Sequence, residues 1–476
     1  MTYSPKMKPI MQKRVMALIA GLGMAAVACK DSPSVTDLNN VSAEALSSGL
    51  TRASTQLLVT GLLNVDRGNL DARTLIFAET MARDFYRLDN AENRFITELI
   101  GSFPADYSSF TGGGGFSQFY VEVRSAHTIL NALPSAQGLS AAEVAATRGL
   151  VNTIKAQSFY RALELRDSLG IAIDVNKPID ADPAPFVCKP NALAYISLLL
   201  DSAATDLAAG GSAFPFTLPA GFSANGDFTT PAAVLQVNRG LKGKIELYRG
   251  LDHQKPNAGS FAAAVTAINA SFASTSGSTN KGVYYVFSTA ASETTTPLAD
   301  ANIYLNPFVG DSIQAGDLRA SKVTTVTSKT LFGVTTKYKT PLTDPANLTR
   351  PIAMLKNAEL LLLRAQANIE LGNLAAAYLD INYVRAQDGG LAAKVPTTKQ
   401  QAIYDVLYEK RYSLLAESAQ RLVDLRAYGL LKAGVTSPNG VAGGPGAPGD
   451  LFQTTLPIPK REFDARNTLT ITPTCS

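Results

Sequence analysis

The chain has 476 residues, with 43 basic and 39 acidic side chains and a formal net charge of +4. At that length a hydrophobic content of 46% can bury a large core, and two or three domains are allowed. Two histidines and three cysteines argue against a metal site, and the absence of a basic stripe argues against a nucleic-acid partner.

Lys6, Lys8, Lys13 and Arg14 open the chain with no acidic residue among them, and an apolar run follows from Val15 to Val27. A positive start, a short apolar core and small residues before a cut define a secretory leader. The run is too short to span a bilayer, which takes about 20 apolar residues. Ala26-Val27-Ala28 stands directly before Cys29 and resembles the lipobox of bacterial lipoproteins, whose cysteine is acylated. Several acyl chains on one residue anchor durably where a single chain is marginal. Lys30 after the cysteine resembles an outer-membrane sorting signal, and Lys30-Asp31 resembles the surface-export signals of some lipoproteins. Loss of the leader removes four of the 43 basic residues, leaving 39 against 39 acidic ones, so the mature chain is neutral. Its localisation is expected to be the outer membrane, lipid-anchored at Cys29 and facing outward.

Residues 29–41 read as a polar tether, and one body is expected over 42–476. Ser42 is a candidate helix cap, with Leu46, Leu50, Leu57, Leu58 and Leu62 at helical spacing. A second helix is expected from Ala72 to Tyr86. The stretch from Arg87 to Gly115 reads as an aromatic-bearing loop ending in four glycines that disfavour helix. Helices follow over Phe116–Leu133, stopped by Pro134, and Ala141–Leu169, stopped by Gly170. After a proline-rich crossing, helices are expected over Ala192–Ala208, from Pro231 to Tyr248 behind Thr229 or Thr230, and over Ser260–Phe272.

Residues 251–345 read as a loop-rich insertion with β-like pieces at Val283–Phe287 and Thr335–Tyr338. From Pro351, one helical face carries Met354, Ala358, Leu361, Leu362, Ala365 and Ile369. Gly372-Asn373 then turns the chain into a second helix from Leu374 to Val384. Two such helices around a tight turn form a tetratricopeptide-like hairpin. The fold class expected is mainly α: helical hairpins with long irregular loops and a few short strands. The helical scaffold covers about 42–250 and 351–432, and 433–476 forms an extended tail. Cys188 and Cys475 remain after processing; they can pair in an oxidising compartment or stay as two thiols, and the sequence leaves both open.

Catalysis needs convergent groups that the sequence does not supply. No G-x-S-x-G elbow is present, and the glycine run lacks the Lys-Ser/Thr of a phosphate loop. Paired carboxylates of the glycosidase kind remain open because Asp and Glu are plentiful. The expectation is a non-enzymatic protein without cofactor or metal.

Several segments resemble the SusD/RagB family of nutrient-uptake lipoproteins. They are KAQSFYRA at 155–162, NAELLLLRAQANIELGNL at 357–374, YDVLYEKRYSLLAESAQRLVDLRAYG at 404–429 and LPIPKREF at 456–463, in the family's order and behind the lipobox. The resemblance spans nearly the whole chain. It departs where the family often has Trp, here Leu422-Val423, and where it closes on Asn-Pro, here Thr472-Pro473.

The resemblance implies a surface subunit that captures oligosaccharide or peptide and delivers it to a TonB-dependent, SusC-like outer-membrane barrel. A cell-surface protein-interaction adaptor and, more remotely, a glycan-cleaving hydrolase are the other readings. Zero Trp weighs against a large-glycan platform, although 17 Tyr and 20 Phe remain. In the family the ligand site lies in loops after the first helices. Here that loop carries Tyr86, Arg87, Asn90, Asn93, Arg94, Phe95, Phe103 and Tyr107, and the insertion adds Tyr284, Tyr285 and Tyr304. The same aromatics can equally be loop residues packed on helices. In the 404–429 segment Glu409, Arg411, Glu417, Arg421, Asp424 and Arg426 stand at spacings that support intrahelical ion pairs, with a ligand site as the other reading. The anchor is tested directly: Cys29→Ala is expected to move the protein from the membrane to the soluble fraction on cell fractionation, and continued membrane association would refute it.

Overall fold

A computed structural model describes residues 49–70, 72–100, 105–108, 110–178, 180–432 and 452–475. The leader, Cys29, the tether, Ser42, Phe103 and the glycine- and proline-rich 434–448 lie outside the described residues. The first described helix, α1 (Arg52–Gly68), starts at a capping box. The Thr51 side chain accepts from the Ser54 N–H, and the Ser54 side chain accepts in return from the Thr51 N–H. Val59, Leu62 and Leu63 face inward from it.

Helix α2 (Ala72–Met81) stops five residues short of the expected Tyr86. Arg83 takes a φ of 63°, and the chain turns there. Phe85–Arg87 then become a strand, β1, because they find backbone partners in the insertion. The glycine run is also not plain loop: Phe110–Gly113 closes a single helical turn, and Gly115 has a φ of 61°. Arg166, fully buried, explains the carbonyls this exposes. Its guanidinium donates to the oxygens of Gly112, Gly114 and Gly115 at 3.3, 2.9 and 3.0 Å.

Helices α3 (Ser117–Ala132), α4 (Ala141–Arg166), α5 (Lys189–Ala208), α6 (Pro231–Gly250) and α7 (Gly259–Asn269) follow close to their expected places. Ser140 and Glu143 form a second capping box, and Thr230 caps α6 ahead of Pro231. Later come α8 (Asn357–Glu370), α9 (Leu374–Gly389), α10 (Lys399–Ser413) and α11 (Gln420–Ala427). Each of α4 to α9 packs on the next, and α10 lies against both α8 and α9. The chain is mainly α, a run of helical hairpins with a few short strands.

Helix α8 is buried on nearly every side and contributes apolar residues to two cores at once. Leu361, Leu362, Ala365 and Ile369 join the core under α2, α9, α10 and the insertion. Leu360, Leu363 and Ala367 join the core between α3, α4, α5 and α6. Met354, read from sequence as part of this helix, lies instead in strand β8 (Ile352–Lys356), which pairs with β4 (Gly282–Tyr285). Two further short strands, β2 (Ile171–Ala172) and β3 (Phe186–Val187), pair beside Thr474. The adjacent Cys188 and Cys475 form a disulfide with Cα atoms 5.3 Å apart.

The expected single helix over 404–429 is two. Ala416 has a φ of 66°, which breaks it between α10 and α11. Its charges do not pair along the helix as their spacing suggests. Most clamp it to distant elements, and one pair joins its two halves. Asp84 lies 2.7 Å from Arg411 and 3.7 Å from Arg421, Glu409 bridges Arg319 at 2.7 Å and Arg385 at 2.9 Å, and Lys410 meets Asp424 at 2.6 Å. Glu417 takes Lys356, and Arg426 reaches toward Asp167. These groups are almost all buried, so the ligand-site reading of this cluster fails for want of access.

Removing one partner of a buried pair leaves an uncompensated charge, which costs about 3–5 kcal/mol. Arg411→Met is therefore expected to cost about 3 kcal/mol, the lower end because Arg421 remains near Asp84. Adding Asp84→Asn should restore part of the loss in urea denaturation, and no recovery would refute the pairing. A second test concerns His127, buried on α3. Burial, then the neighbouring charges of Lys155 and Arg124, push its pKa down to about 4. Its unfolded value is about 6.5, so between those pH values the unfolded chain binds more protons and stability falls on acidification. His127→Gln should flatten the stability loss between pH 6.5 and 4 relative to the parent protein; an unchanged slope would refute the assignment.

Candidate functional site

Strand β1 belongs to a four-stranded antiparallel sheet ordered β1, β5 (Ile303–Leu305), β7 (Val334–Lys339) and β6 (Thr324–Leu331). This sheet joins the loop after α2 to the insertion, more than 200 residues later. Its register sets Tyr86 opposite Tyr304 and Leu305 opposite Tyr338. One step along, Tyr304 stands opposite Lys339, and Lys339 opposite Thr324. Directly opposed residues share a face of the sheet. A row of half-exposed Tyr86, Tyr304 and Lys339 and exposed Thr324 thus crosses all four strands.

Cations surround the row. The Lys339 ammonium is 4.5 Å from the Tyr304 ring centroid and donates to the Ala301 carbonyl at 2.7 Å. Lys329 approaches the same ring at 5.3 Å and donates to the Leu88 carbonyl at 3.0 Å. An ammonium has three donors, so each lysine keeps capacity for a ligand oxygen. The Tyr86 hydroxyl accepts from Asn306 at 2.9 Å. The Tyr304 hydroxyl has no hydrogen-bond partner among the described residues.

Arg87 closes one end, bound to Asp300 at 2.6 Å and Asp89 at 2.9 Å and lying 4.4 Å over the Phe95 ring. Arg94 is held by Glu92 at 2.8 Å and covers Phe110 at 4.6 Å. The Arg94 guanidinium in turn holds the Glu92 carboxyl below the usual carboxylate range. Asn90 and Asn93 are exposed on this loop. The row therefore combines phenol, hydroxyl and ammonium groups that can accept from and donate to a ligand's hydroxyls, beside partly open aromatic rings.

Two candidates leave the surface altogether. Phe95 is buried against Phe77 and Phe110, with ring centroids 5.5 and 4.9 Å away. Tyr285 is buried at the meeting of α1 and α4. There its hydroxyl donates to Asp66 at 2.9 Å and accepts from Gln157 at 2.8 Å and from Arg161. Both are core residues: Phe95 has no polar group to keep in water, and the Tyr285 hydroxyl is fully satisfied inside. Tyr284 is half-buried in the separate β4–β8 sheet, with its hydroxyl on the Asn280 carbonyl at 2.7 Å.

Tyr107 stands apart from the row, 50% exposed, with its ring 5.8 Å from Phe463. Together with Lys460, Asp464 and the 96% exposed Leu469 they line a surface notch of about 270 Å³. Lys329 and Lys339 escaped the sequence reading. The alternation in VTTKYK at 334–339 signals a strand, but only the register aims Lys339 at Tyr304. Among the described residues no cluster of three His, Cys, Asp or Glu side chains is arranged to hold a metal, and no helix is long and apolar enough to cross a membrane.

No protein-family model and no curated protein matches the chain in sequence. Solved structures do match it. A SusD superfamily protein from Bacteroides vulgatus superposes with a TM-score of 0.64 at 17% identity, covering 88% of this chain and 98% of that one. A SusD superfamily protein from Bacteroides fragilis gives 0.64 at 13% identity, covering 87% and 97%. A SusD-like carbohydrate binding protein from B. vulgatus gives 0.62 at 14% identity, covering 90% and 99%. The chain has the SusD-superfamily fold over nearly its whole described length, in agreement with the resemblance read from its motifs.

Proposed function

We propose that the chain is a non-catalytic, surface-exposed lipoprotein that captures an oligosaccharide at the β1–β5–β7–β6 sheet and passes it to a TonB-dependent outer-membrane barrel. The carrying observation is the row of Tyr86, Tyr304 and Lys339, built from two segments far apart in sequence. Tyrosine rings offer an apolar face to the C–H side of a sugar, and their hydroxyls, with the lysine ammoniums, serve its rim. One structural neighbour is a SusD-like carbohydrate binding protein, which supports the ligand class. The leader and lipobox at Cys29 support the anchor, and the motif resemblance supports the transporter partner.

In this reading Arg87, salt-bridged between Asp89 and Asp300, stiffens the loop that presents Tyr86. The two carboxylates serve the arginine and do not form a hydrolytic pair. The test is binding to a glycan array and a peptide array. A glycan hit that Tyr304→Ala weakens by about tenfold, the scale of one lost aromatic contact, is expected. Peptide hits alone would shift the ligand class, and silence on both arrays would favour the adaptor reading.

A further inference from the structure

The sheet row carries a charge that its surroundings leave unbalanced. Lys329 on β6 and Lys339 on β7 both bring an ammonium to Tyr304, at 5.3 and 4.5 Å from the ring centroid. Neither forms an ion pair among the described residues. Each donates there to a single backbone carbonyl, of Leu88 at 3.0 Å and of Ala301 at 2.7 Å. The nearby acids are matched elsewhere. Asp89 and Asp300 each turn one oxygen to Arg87, at 2.9 and 2.6 Å, and their second oxygens accept from the N–H groups of Ala91 at 2.9 Å and Asn302 at 2.8 Å. Glu92 is bound to Arg94. Lys337, exposed on the same strand as Lys339, leans on Tyr338, whose hydroxyl donates to Asp311 at 2.5 Å, so that cation and that carboxylate offset one another. Arg87, Lys329 and Lys339 thus stand against Asp89 and Asp300. The row keeps one positive charge in excess, and because both carboxylates face Arg87, the excess falls on the two lysines.

These lysines differ from free surface ones. A mobile ammonium gives up rotamer freedom to hold an anion, which is why exposed ion pairs contribute little. Lys329 and Lys339 are half-buried, and each is already fixed by a carbonyl and an aromatic ring. That freedom is lost on folding, so an arriving anion keeps more of the Coulomb gain. An ammonium has three donors, and the one used here leaves two for the oxygens of a ligand. Sugar hydroxyls can accept from them, but only a negatively charged group also offsets the excess charge.

We propose that the sheet row selects an acidic oligosaccharide, one bearing carboxylate or sulfate groups, over a neutral one. The anionic group accepts from Lys329 and Lys339 at the Tyr304 end of the row, and the sugar ring extends toward Tyr86. This rests on the carbohydrate reading above and narrows it to a charge class.

An array of neutral, uronate-bearing and sulfated oligosaccharides, read with the full-length protein, tests it. The strongest hits should be acidic, and the acid class that binds identifies the group. Methyl esterification of a uronate hit, or desulfation of a sulfated one, removes the charge and keeps the rest of the chain. The charged form should bind about tenfold tighter than its neutralised form, the scale of a hydrogen bond to a charged group. That ratio should fall toward one in Lys339→Gln and in Lys329→Gln, and the second variant carries the test if the first does not fold. It should also fall on raising salt from about 0.01 to about 1 M, which shortens the Debye length from about 30 to about 3 Å. Neutral hits as strong as acidic ones, or a ratio that neither lysine variant moves, would overturn the selectivity. If neutral glycans bind and Tyr304→Ala weakens them, the carbohydrate reading stands and only the acidic preference falls. If no glycan of either kind binds, both fall.

Discussion

Asp84 couples the helical scaffold to the surface it presents. Its side chain, buried beneath the sheet, receives two hydrogen bonds from Arg411 on α10, at 3.0 and 2.7 Å, with Arg421 of α11 nearby. Its carbonyl accepts from the Asn306 N–H at 2.9 Å, immediately beyond β5. One residue thus holds three stretches of chain together: the turn after α2, the insertion and the C-terminal helices. The register that sets Tyr86 opposite Tyr304 starts one residue later, at Phe85. If Asp84 shifts, the row shifts with it.

Buried charge is an expensive way to join elements, and leucines of similar volume often do as well or better for stability. What charge adds is direction. Glu409 must meet both Arg319 from the insertion and Arg385 from α9, and Lys410 must meet both Asp424 and Gln366. An apolar contact tolerates sliding by a turn, whereas these pairs tolerate little. The helices α8 and α10 are buried over so much of their surface that apolar packing alone would leave their rotation loosely defined. The charged residues fix it. The same logic holds for Arg166, whose guanidinium is matched by three backbone carbonyls and so orders a glycine run that would otherwise have no preferred shape.

The helices were legible in the sequence wherever periodicity and a stop signal agreed. Thr230 ahead of Pro231 and Gly170 each mark an end found within a few residues. Misreadings cluster where two periods fit one string. Ile352–Leu355 is apolar at both helical and strand spacing, and only its pairing with Gly282–Tyr285 decides for strand. Charges at i,i+3 and i,i+4 in 404–429 satisfied a local rule, but their real partners come from segments such as Asp84 and Arg385, which no local rule reaches. The candidate surface was legible only in halves. The loop after α2 and the insertion each stood out for their aromatics, while burial sorted Phe95, packed on Phe77 and Phe110, and Tyr285, held by Asp66 and Gln157, from Tyr86 and Tyr304.

The absence of tryptophan shapes what such a surface can be. A single indole gives a broad face by itself, so a platform built on tryptophan can stand on a loop. A phenol ring is smaller, and two must be held side by side at a fixed spacing to give comparable area. A β-ladder supplies that spacing, because directly opposed residues stand about 4.5–5.5 Å apart at Cβ. Loop-borne tyrosines would not hold it. This accounts for why the insertion pairs with the early loop through backbone hydrogen bonds instead of merely packing on it: the three-residue strands β1 and β5 are too short to add much stability, but long enough to fix two rings in register. The lysines on β6 and β7 then play a double part. Placed toward the outer edge of the sheet, they discourage pairing with another chain, and they bring cations to the Tyr304 ring.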